Sequence, residues 1–401
     1  MIARAFFLTL GMLGLGGAVH AAVKEPPTAI ILCYHVIHSP YDTEFSITRE
    51  TFREQMQYLA ATGYNVISLD ELSEYVAGRR KTLPENAVVI TVDDGYRSVY
   101  DEMFPVMKKH RFPFTIFVYP KFIGQGLYAL TWNQIREMAD EGALIESHTL
   151  SHAFLTRARQ RSLSETAYRR WLEDELVGSK KIIEKETGRD VRYLAYPYGD
   201  YNEDVARSTS AAGYEAGLTC DFGPVKPGTD PFRMKRVVIR KNTSFDEFRR
   251  LLGTQPLALE EASPSPGNVF ARQAPIISAK IANFEDLEPN SVQLAVLSLG
   301  TTPYDYDPRD GSISMVIRES LEENVQRALV WGTDRRTGRR VEASWDFYAK
   351  RRPPATHVRK APAREPEQRE PGAIQAIQPE PVLLPAMTDP TSVQSEGNRK
   401  R

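Results

Sequence analysis

The sequence predicts an α/β fold, a closed β/α barrel of seven or eight strand–helix units, followed by a small all-β domain. Between about residues 28 and 255, short apolar runs rich in Val, Ile and Tyr alternate with longer segments of helical period. The apolar runs are nearly continuous, which is typical of parallel strands covered by helices on both faces. Beyond about residue 255 the helical period ends, and apolar and polar residues alternate between turn signals.

The elements of the first region can be read in order along the chain. The predicted strands are AIILCY, NVIS, AVVITV, FTIFVY, ALIE, YLAYP, EAGLT and RVVIR. Helix starts are predicted at Thr48, at Ser68 with Glu71, and at Thr131 with Gln134, because these residues form N-caps or capping boxes. A long charged helix is expected from about residue 163 to 187. Together these elements predict a barrel domain over residues 23–257.

The second region is predicted to consist of a linker, a β-sandwich-like domain and a tail. The linker is the Pro-, Ser- and Gly-containing stretch 258–268. Residues 269–350 contain runs of alternating polarity such as GSISMVIR and RVEASWDFY, which predict antiparallel strands. Residues 351–401 carry nine of the 27 prolines with many charged residues, which predicts a disordered tail.

The N-terminus predicts export. A basic start at Arg4, an apolar run from Ala5 to Val19 and small residues after it indicate a signal peptide over residues 1–22, cleaved near Ala21 or Ala22. The alternative, an uncleaved anchor, is disfavoured because the run is shorter than the roughly 20 apolar residues that span a bilayer. We therefore expect an exported protein, periplasmic or secreted, with no membrane span in the mature chain.

The composition excludes several classes of partner and fold. Lys and Arg number 51 against 52 for Asp and Glu, so no charge excess favours nucleic acid or an anionic membrane. Two cysteines, Cys33 and Cys220, are too few for a disulfide framework in a 401-residue chain. We expect buried thiols on neighbouring strands, with a single disulfide as the alternative.

Polar residues follow several of the predicted strands where those strands end. AIILCY is followed by His35, AVVITV by Asp93 and Asp94, ALIES by His148, and YLAYP by Tyr198. Because the carboxyl ends of parallel barrel strands share one face, these residues are expected to meet there.

One carboxylate beside His148 and His152, which stand four residues apart in ESHTLSH, would make a three-ligand site with open positions. Such a site suits Zn²⁺ or a similar divalent ion that binds and acidifies water. Successive side chains of a strand diverge, so one of Asp93 and Asp94 can bind the ion while the other acts as a base. Taken alone, Asp93-Asp94-Gly95 could be an acidic turn, and YPYGDYN either an aromatic turn or a loop that offers a backbone N–H near Tyr198 to an oxyanion.

The motifs TVDDG, SHTLSH and AYPYG, in this order, resemble those of the NodB-homology polysaccharide deacetylases, the family-four carbohydrate esterases. The resemblance covers about residues 28–255 and implies a metal-dependent enzyme on a distorted (β/α)7-8 barrel that removes acetyl groups from N-acetylglucosamine polymers. It implies that Asp93 is the general base and that Tyr198 donates its backbone N–H to the oxyanion. It further implies that Asp94, His148 and His152 bind the metal.

Two family features are missing from this sequence. No arginine directly precedes Pro197, and Arg236 is the candidate to replace its contact with the base. No histidine lies between His152 and His357, so the usual Leu-x-His is absent. His35 then becomes the candidate general acid, with His38 as a weaker rival, and this resembles the circularly permuted branch that includes exported deacetylases of poly-β-1,6-N-acetylglucosamine.

The sequence therefore predicts an exported hydrolase that converts the acetamides of a β-linked N-acetylglucosamine polymer to amine and acetate. The expected cofactor is a divalent metal ion, Zn²⁺ before Co²⁺, Ni²⁺ or Fe²⁺, and the other expected partner is export or cell-envelope machinery. One alternative is a catalytically idle glycan-binding protein whose β-domain acts through Trp331 and Trp345. Another is a related hydrolase of a different non-peptide C–N bond.

Overall fold

The structure, a computed structural model, describes residues 26–38, 43–156, 164–265, 269–270, 276–299, 302–318, 321 and 325–349. The predicted signal peptide and the predicted tail lie outside the described residues. Within the described part of the chain, no helix is long and apolar enough to span a membrane.

The first region contains short strands separated by helices. The strands are β1 (Ala29–Tyr34), β2 (Val36–Ile37), β3 (Ser46–Ile47), β4 (Asn65–Val66), β5 (Ala87–Asp94), β6 (Thr115–Val118), β7 (Leu144–Ser147), β8 (Tyr193–Ala195), β9 (Ala216–Leu218) and β10 (Val237–Val238). All residues of β1 and β5 are buried, as expected for strands covered on both faces. Strand β5 is longer than predicted and includes Asp93 and Asp94 themselves.

Eight of these strands form a curled parallel sheet in the order β10–β1–β5–β6–β7–β8–β9, with β4 beside the start of β5, whereas β2 and β3 pair with each other. The sheet is of the half-barrel type, where the sequence predicted a closed barrel. Between its two edges lies the segment Met234–Val238. Met234 exchanges backbone hydrogen bonds with Gly217 and Thr219 beside β9, and Val237 and Val238 pair with β1. The contact of this segment with β9 is limited to a single bridge between Leu218 and Met234, so no regular ladder joins β9 to β10.

The helices of the first region begin where their caps predict. They are α1 (Arg49–Ala61), α2 (Leu69–Val76), α3 (Phe104–His110), α4 (Trp132–Asp140), α5 (Glu165–Glu173), α6 (Ser179–Thr187), α7 (Glu203–Ala211) and α8 (Phe245–Leu252). The capping boxes at Ser68 and Thr131 and the N-cap at Thr48 are confirmed. Helices α5 and α6 are joined through a π-helical turn, Asp174–Gly178, so the predicted long helix is interrupted.

The second region contains two facing sheets with a common core. Its strands are β11 (Gln255–Pro256), β12 (Leu259–Ser263), β13 (Val269–Phe270), β14 (Ile276–Ile281), β15 (Gln293–Val296), β16 (Asp305–Asp307), β17 (Ser312–Val316), β18 (Val325–Thr333) and β19 (Arg340–Ala349). One sheet has the order β11–β19–β18–β15 with β13 also on β19, and the other has the order β12–β14–β17–β16. We call this part of the chain, residues 255–349, the β-region.

The predicted linker 258–268 is partly wrong, because its first half is strand β12. Ala262 and Ser263 pair with Ala279 and Ser278 of β14, and Leu259 packs against the core of the β-region. Leu257, predicted as the end of the barrel, also belongs to that core. The first half of the predicted linker is therefore part of a sheet.

Candidate metal and catalytic site

The carboxyl edge of the parallel sheet gathers the predicted site residues. His35 follows β1, Asp93 and Asp94 end β5, His148 follows β7, and Tyr198 lies in the turn after β8. These strands are neighbours or near neighbours in the curled sheet, so residues more than 100 positions apart in sequence lie at one place.

Asp94, His148 and His152 form a cluster that fits a divalent metal. Each offers one ligand atom, and these atoms lie within 4.8 Å of one another. Asp94 Oδ1 lies 3.2 Å from His152 Nε2 and 3.6 Å from His148 Nε2. That oxygen is buried and has no hydrogen-bond partner, as expected of an atom whose natural partner is an ion. The set of one carboxylate and two imidazoles is typical of catalytic zinc sites.

Hydrogen bonds to the outer ring nitrogens orient both histidines. His148 Nδ1 lies 2.7 Å from the carbonyl oxygen of Ala195, which only accepts, so Nδ1 carries the proton and Nε2 is left with its lone pair. His152 Nδ1 lies 3.0 Å from the Tyr198 hydroxyl. Burial lowers the pKa of His148 to about 4, so this ring is neutral at neutral pH, as metal binding requires.

The turn between the two histidines is held by Glu175, which the sequence analysis did not identify. This buried carboxylate accepts hydrogen bonds from the backbone N–H groups of Leu150 (3.1 Å) and Ser151 (2.9 Å) and from the Ser151 hydroxyl (2.6 Å). Glu175 belongs to the π-helical turn between α5 and α6. The turn also holds Thr149 and His152 at φ values of 64° and 59°, which non-glycine residues seldom adopt without support from their surroundings.

Asp93 is paired with Arg236. The guanidinium donates from Nη1 to Oδ1 at 2.7 Å and from Nη2 to Oδ2 at 2.8 Å, and both side chains are almost fully buried. The contact proposed for Arg236 from the sequence is therefore present. Burial alone would raise the pKa of Asp93, but the charge and hydrogen bonds of Arg236 outweigh burial and hold that pKa below its usual value. Asp93 is thus an ionised carboxylate whose Oδ2 lies 3.7 Å from His148 Nε2.

His35 lies beside this carboxylate pair. Its ring packs against Phe45 with a centroid distance of 4.8 Å, and its buried Nδ1 has no hydrogen-bond partner. Burial lowers the pKa of His35, although Asp94 and Asp93 oppose the shift. His38, the weaker candidate, is exposed and has a positive φ of 53°. Of the two histidines, His35 is the one close enough to interact with the site.

Tyr198 lies in a left-handed turn and places its ring beside His152. It has a φ of 60°, in a turn that continues through Gly199 at a φ of 69°. Its ring stacks on Phe154 with a centroid distance of 3.7 Å and is 42% exposed. A half-exposed aromatic pair beside the candidate metal-binding residues is suited to contact the apolar face of a sugar ring.

Both cysteines are free thiols. The prediction that they lie on neighbouring strands is wrong. Cys33 is buried in β1, with Sγ 3.5 Å from Asp93 Oδ2, whereas Cys220 lies two residues beyond β9. Strands β1 and β9 are not paired with each other in the sheet. Burial raises the pKa of Cys33 well above its usual value, so its thiol stays protonated beside the carboxylate.

The aromatic residues proposed for glycan binding in the β-region are not a paired surface platform. Trp345 is 2% exposed and belongs to the core of the β-region. Trp331 is partly buried, and the Arg340 guanidinium lies over its ring at 4.7 Å. Trp345 is therefore a core residue.

Comparison with known proteins identifies the family. The family model for polysaccharide deacetylases matches residues 80–217. The polysaccharide deacetylase-type protein YxkH of Bacillus subtilis (strain 168) is 31% identical over 228 residues, which are 56% of this chain and 76% of YxkH. A poly-β-1,6-N-acetyl-D-glucosamine N-deacetylase of Staphylococcus epidermidis is 29% identical over 213 residues, which are 52% of this chain and 71% of that protein. The chain belongs to the polysaccharide deacetylase family, and the resemblance inferred from its motifs is confirmed.

Solved structures agree with this assignment. IcaB from Ammonifex degensii has a TM-score of 0.50 and 27% sequence identity, and the match covers 57% of this chain and 97% of IcaB. The Streptococcus pyogenes deacetylase PplD, solved in complex with acetate, has a TM-score of 0.51 and 23% identity over 57% of this chain and 99% of PplD. At that identity PplD supports the fold alone. Membership of this family makes the protein a hydrolase of amide bonds in polysaccharides.

Proposed function

We propose that this protein is an exported, metal-dependent N-deacetylase of a β-linked N-acetylglucosamine polymer. The observation that carries the proposal is the Asp93–Arg236 ion pair beside the Asp94, His148 and His152 cluster. A glycan-binding module needs no buried ionised carboxylate next to a metal-binding set, whereas hydrolysis of an amide needs both a base and an electrophilic centre.

The proposed roles combine the family resemblance with the proximity of these groups. Asp94, His148 and His152 would hold a divalent cation, with Zn²⁺ as the first candidate and Co²⁺, Ni²⁺ or Fe²⁺ as alternatives. Such a cation, when bound, polarises the acetyl carbonyl and lowers the pKa of water. Asp93 takes a proton from the attacking water, and the Tyr198 backbone N–H donates to the acetyl oxygen as negative charge develops there. His35 gives a proton to the leaving amine, so the products are acetate and a glucosamine residue.

The substrate proposal rests on the relatives. The Staphylococcus epidermidis relative is named for poly-β-1,6-N-acetyl-D-glucosamine, so this polymer is the first substrate to test. The Phe154–Tyr198 stack supports a sugar substrate of any linkage, because pyranose rings present an apolar face to aromatic rings. Chitin oligosaccharides and peptidoglycan glycans are the comparison substrates.

The decisive experiment is acetate release from soluble β-1,6-linked and β-1,4-linked N-acetylglucosamine oligosaccharides. The metal-reconstituted protein should release acetate, a chelator should abolish release, and added Zn²⁺ should restore it. Asp93→Asn, with its metal content measured, is the matched inactive control. If no glycan yields metal-dependent acetate while a small amide does, the enzyme is a hydrolase of another C–N bond.

Export and domain division are part of the proposal. Residues 1–22 are proposed to be a cleaved signal peptide, which N-terminal sequencing of the mature protein tests directly. Residues 351–401 are proposed to be a disordered tail, and a chain ending at residue 350 should keep its thermal stability and turnover. The deacetylase domain is proposed to end near Thr254, followed by a β-domain that starts at Gln255.

A further inference from the structure

Three alternate residues of β19, Glu342, Ser344 and Asp346, are polar yet buried. Val341, Ala343, Trp345 and Phe347 face the core of the β-region, so the residues between them point to the opposite side of the strand. On that side Glu342, Ser344 and Asp346 are each 3% exposed. Buried polar groups need hydrogen-bond partners, and the partner of the Ser344 hydroxyl lies in the loop that follows β9 of the deacetylase domain.

Ser344 is hydrogen-bonded to the loop that follows β9. Its hydroxyl accepts a hydrogen bond from the backbone N–H of Phe222 and donates to the carbonyl oxygen of the same residue at 3.1 Å. Its backbone oxygen accepts from the Lys235 ammonium at 3.4 Å. One residue of β19 therefore contacts both the 219–222 loop and the residue directly before Arg236.

Asp346 lies behind the same loop. It forms a two-pronged ion pair with Arg327, its cross-strand partner on β18, at 2.7 and 2.8 Å. A Cβ placed on Gly199 would lie 3.4 Å from Asp346 Oδ2 and 2.9 Å from the Cβ of Cys220. The Tyr198–Gly199 turn, the Cys220 loop and β19 are thus in close contact.

The 219–222 loop holds Arg236 in place through hydrogen bonds. The Arg236 Nε donates to the Thr219 carbonyl oxygen at 3.0 Å, and the Arg236 backbone N–H donates to the Asp221 carbonyl oxygen at 3.0 Å. Nη2 lies 3.9 Å from Cys220 Sγ. These contacts fix the guanidinium that pairs with Asp93, and the loop that provides them has β19 on its other side.

We infer that strand β19 is a positioning element of the deacetylase site, acting through Ser344 on the 219–222 loop and through that loop on Arg236. The inference rests on the proposed function in one respect, the role of Asp93 as the base. The β-region is then part of the catalytic unit and not an appended binding module. Ser344 touches neither substrate nor reacting atoms and is not a catalytic residue.

The test is Ser344→Ala in the full-length, metal-reconstituted protein. We expect the turnover number to fall about 10- to 100-fold, the effect of a small misplacement near a reacting group, with KM and metal content almost unchanged. Ser314→Ala on β17 is the matched control in the same region and should keep wild-type turnover. If Ser344→Ala retains full turnover, the inference is overturned.

A double-mutant cycle separates positioning from general destabilisation. In an Arg236→Lys background, where the two-pronged pairing is already lost, Ser344→Ala should lower turnover further by less than about threefold, because residues acting through one contact are not additive. Full additivity would mean that Ser344 does not act through Arg236. If Ser344→Ala does not fold, Ser344→Thr and Ser344→Val replace it, since they differ chiefly by one hydroxyl, and only the threonine variant should keep turnover.

Hydrogen exchange provides a readout that needs no activity. In Ser344→Ala, amides of 219–223 and 234–238 should exchange faster than in the wild type, while those of β14 stay unchanged. Unchanged exchange in the loop would refute the coupling even if turnover fell. If the wild-type protein releases no acetate from any glycan, the proposed function fails, and the exchange result still decides whether β19 holds the loop.

Discussion

Replacing Arg236 by methionine should destabilise the protein strongly at neutral pH. Arg236 is fully buried and donates two hydrogen bonds to Asp93, whose side chain is 2% exposed. Methionine fills much of the same volume but leaves the carboxylate without its cation. Removing one partner of a buried ion pair costs about 3–5 kcal/mol, because the remaining charge is neither solvated nor paired. We expect a loss of that size in the free energy of unfolding at pH 7.

The loss should depend on pH in a definite direction. In the wild type the pKa of Asp93 is lowered, so its ionisation contributes stability above the unfolded pKa of about 3.9, and this stability is lost as the pH falls through the lower folded pKa. Without Arg236, burial would raise the folded pKa of Asp93 above the unfolded value. The protonated form is then the better tolerated one, so the deficit of Arg236→Met should shrink as the pH falls from 7 towards 4.

Urea unfolding of the metal-free protein at pH 7 and pH 4.5 measures both effects. Arg233→Met, three residues earlier, is the control, because Arg233 pairs with Glu203 and Asp230 at the surface, where an ion pair contributes about 0–1 kcal/mol. The reasoning is refuted if Arg236→Met costs less than about 1 kcal/mol at pH 7. It is also refuted if the deficit is equal at both pH values.

The other predictions concern the metal, the turn and the acid. Asp94→Ala should lose bound metal and turnover together, whereas Asp93→Asn should keep its metal and lose turnover. Metal analysis of the purified variants measures this difference. If Asp93→Asn lost its metal and Asp94→Ala kept it, Asp93 would be the ligand and Asp94 the base. Glu175→Gln should weaken metal affinity by about 10- to 100-fold in a chelator competition, because an amide NH₂ would face donor N–H groups of the turn, while Glu173→Gln on the exposed side of α5 should not. His35→Ala should lower turnover by about 10²- to 10⁴-fold with normal metal content. In the pH profile of wild-type turnover, the fall on the alkaline side should occur below the pH usual for a histidine, since burial lowers the His35 pKa. Full turnover in His35→Ala would remove His35 as the acid.

Local signals in the sequence were sufficient for most of the deacetylase sheet. N-caps such as Thr48 and Thr131 depend on residues three positions apart, and buried parallel strands such as AVVITV depend on a single apolar run. The meeting of the Asp93–Asp94 pair with His148 and His152 followed from a topological rule, because parallel strands bring their carboxyl ends to one edge. The choice of Asp94 as the ligand followed from the family resemblance. The sequence could therefore predict the residues that meet without knowing their distances.

Features that depend on distant segments were only partly predicted. Arg236 was only a guess at the residue that replaces the missing family arginine, since nothing near it in the chain indicates a partner 143 residues away. Glu175 was missed because it stands among other acids in a charged helix, and helical periodicity cannot show that a π turn directs this one carboxylate inward. The predicted barrel was only partly confirmed. RVVIR was identified as a strand, but its apolar residues do not show that the link back to β9 is limited to a few backbone hydrogen bonds at Met234.

Strand β19 shows that alternation of polarity does not by itself reveal which face of a strand is exposed to solvent. The pattern EASWDF correctly separates two faces, and the apolar one forms the core of the β-region. A polar face is usually assigned to solvent, yet Ser344 and Asp346 are buried against the deacetylase sheet. Alternation specifies which residues share a face of the strand. Whether that face is buried depends on distant groups that form hydrogen bonds with it, here the backbone of Phe222. This polar face is poorly suited to exposure, since separating Ser344 from the 219–222 loop would leave the backbone groups of Phe222 without their partner. The β-region and the site loops therefore depend on each other for their hydrogen bonds, which a boundary drawn from composition alone would separate.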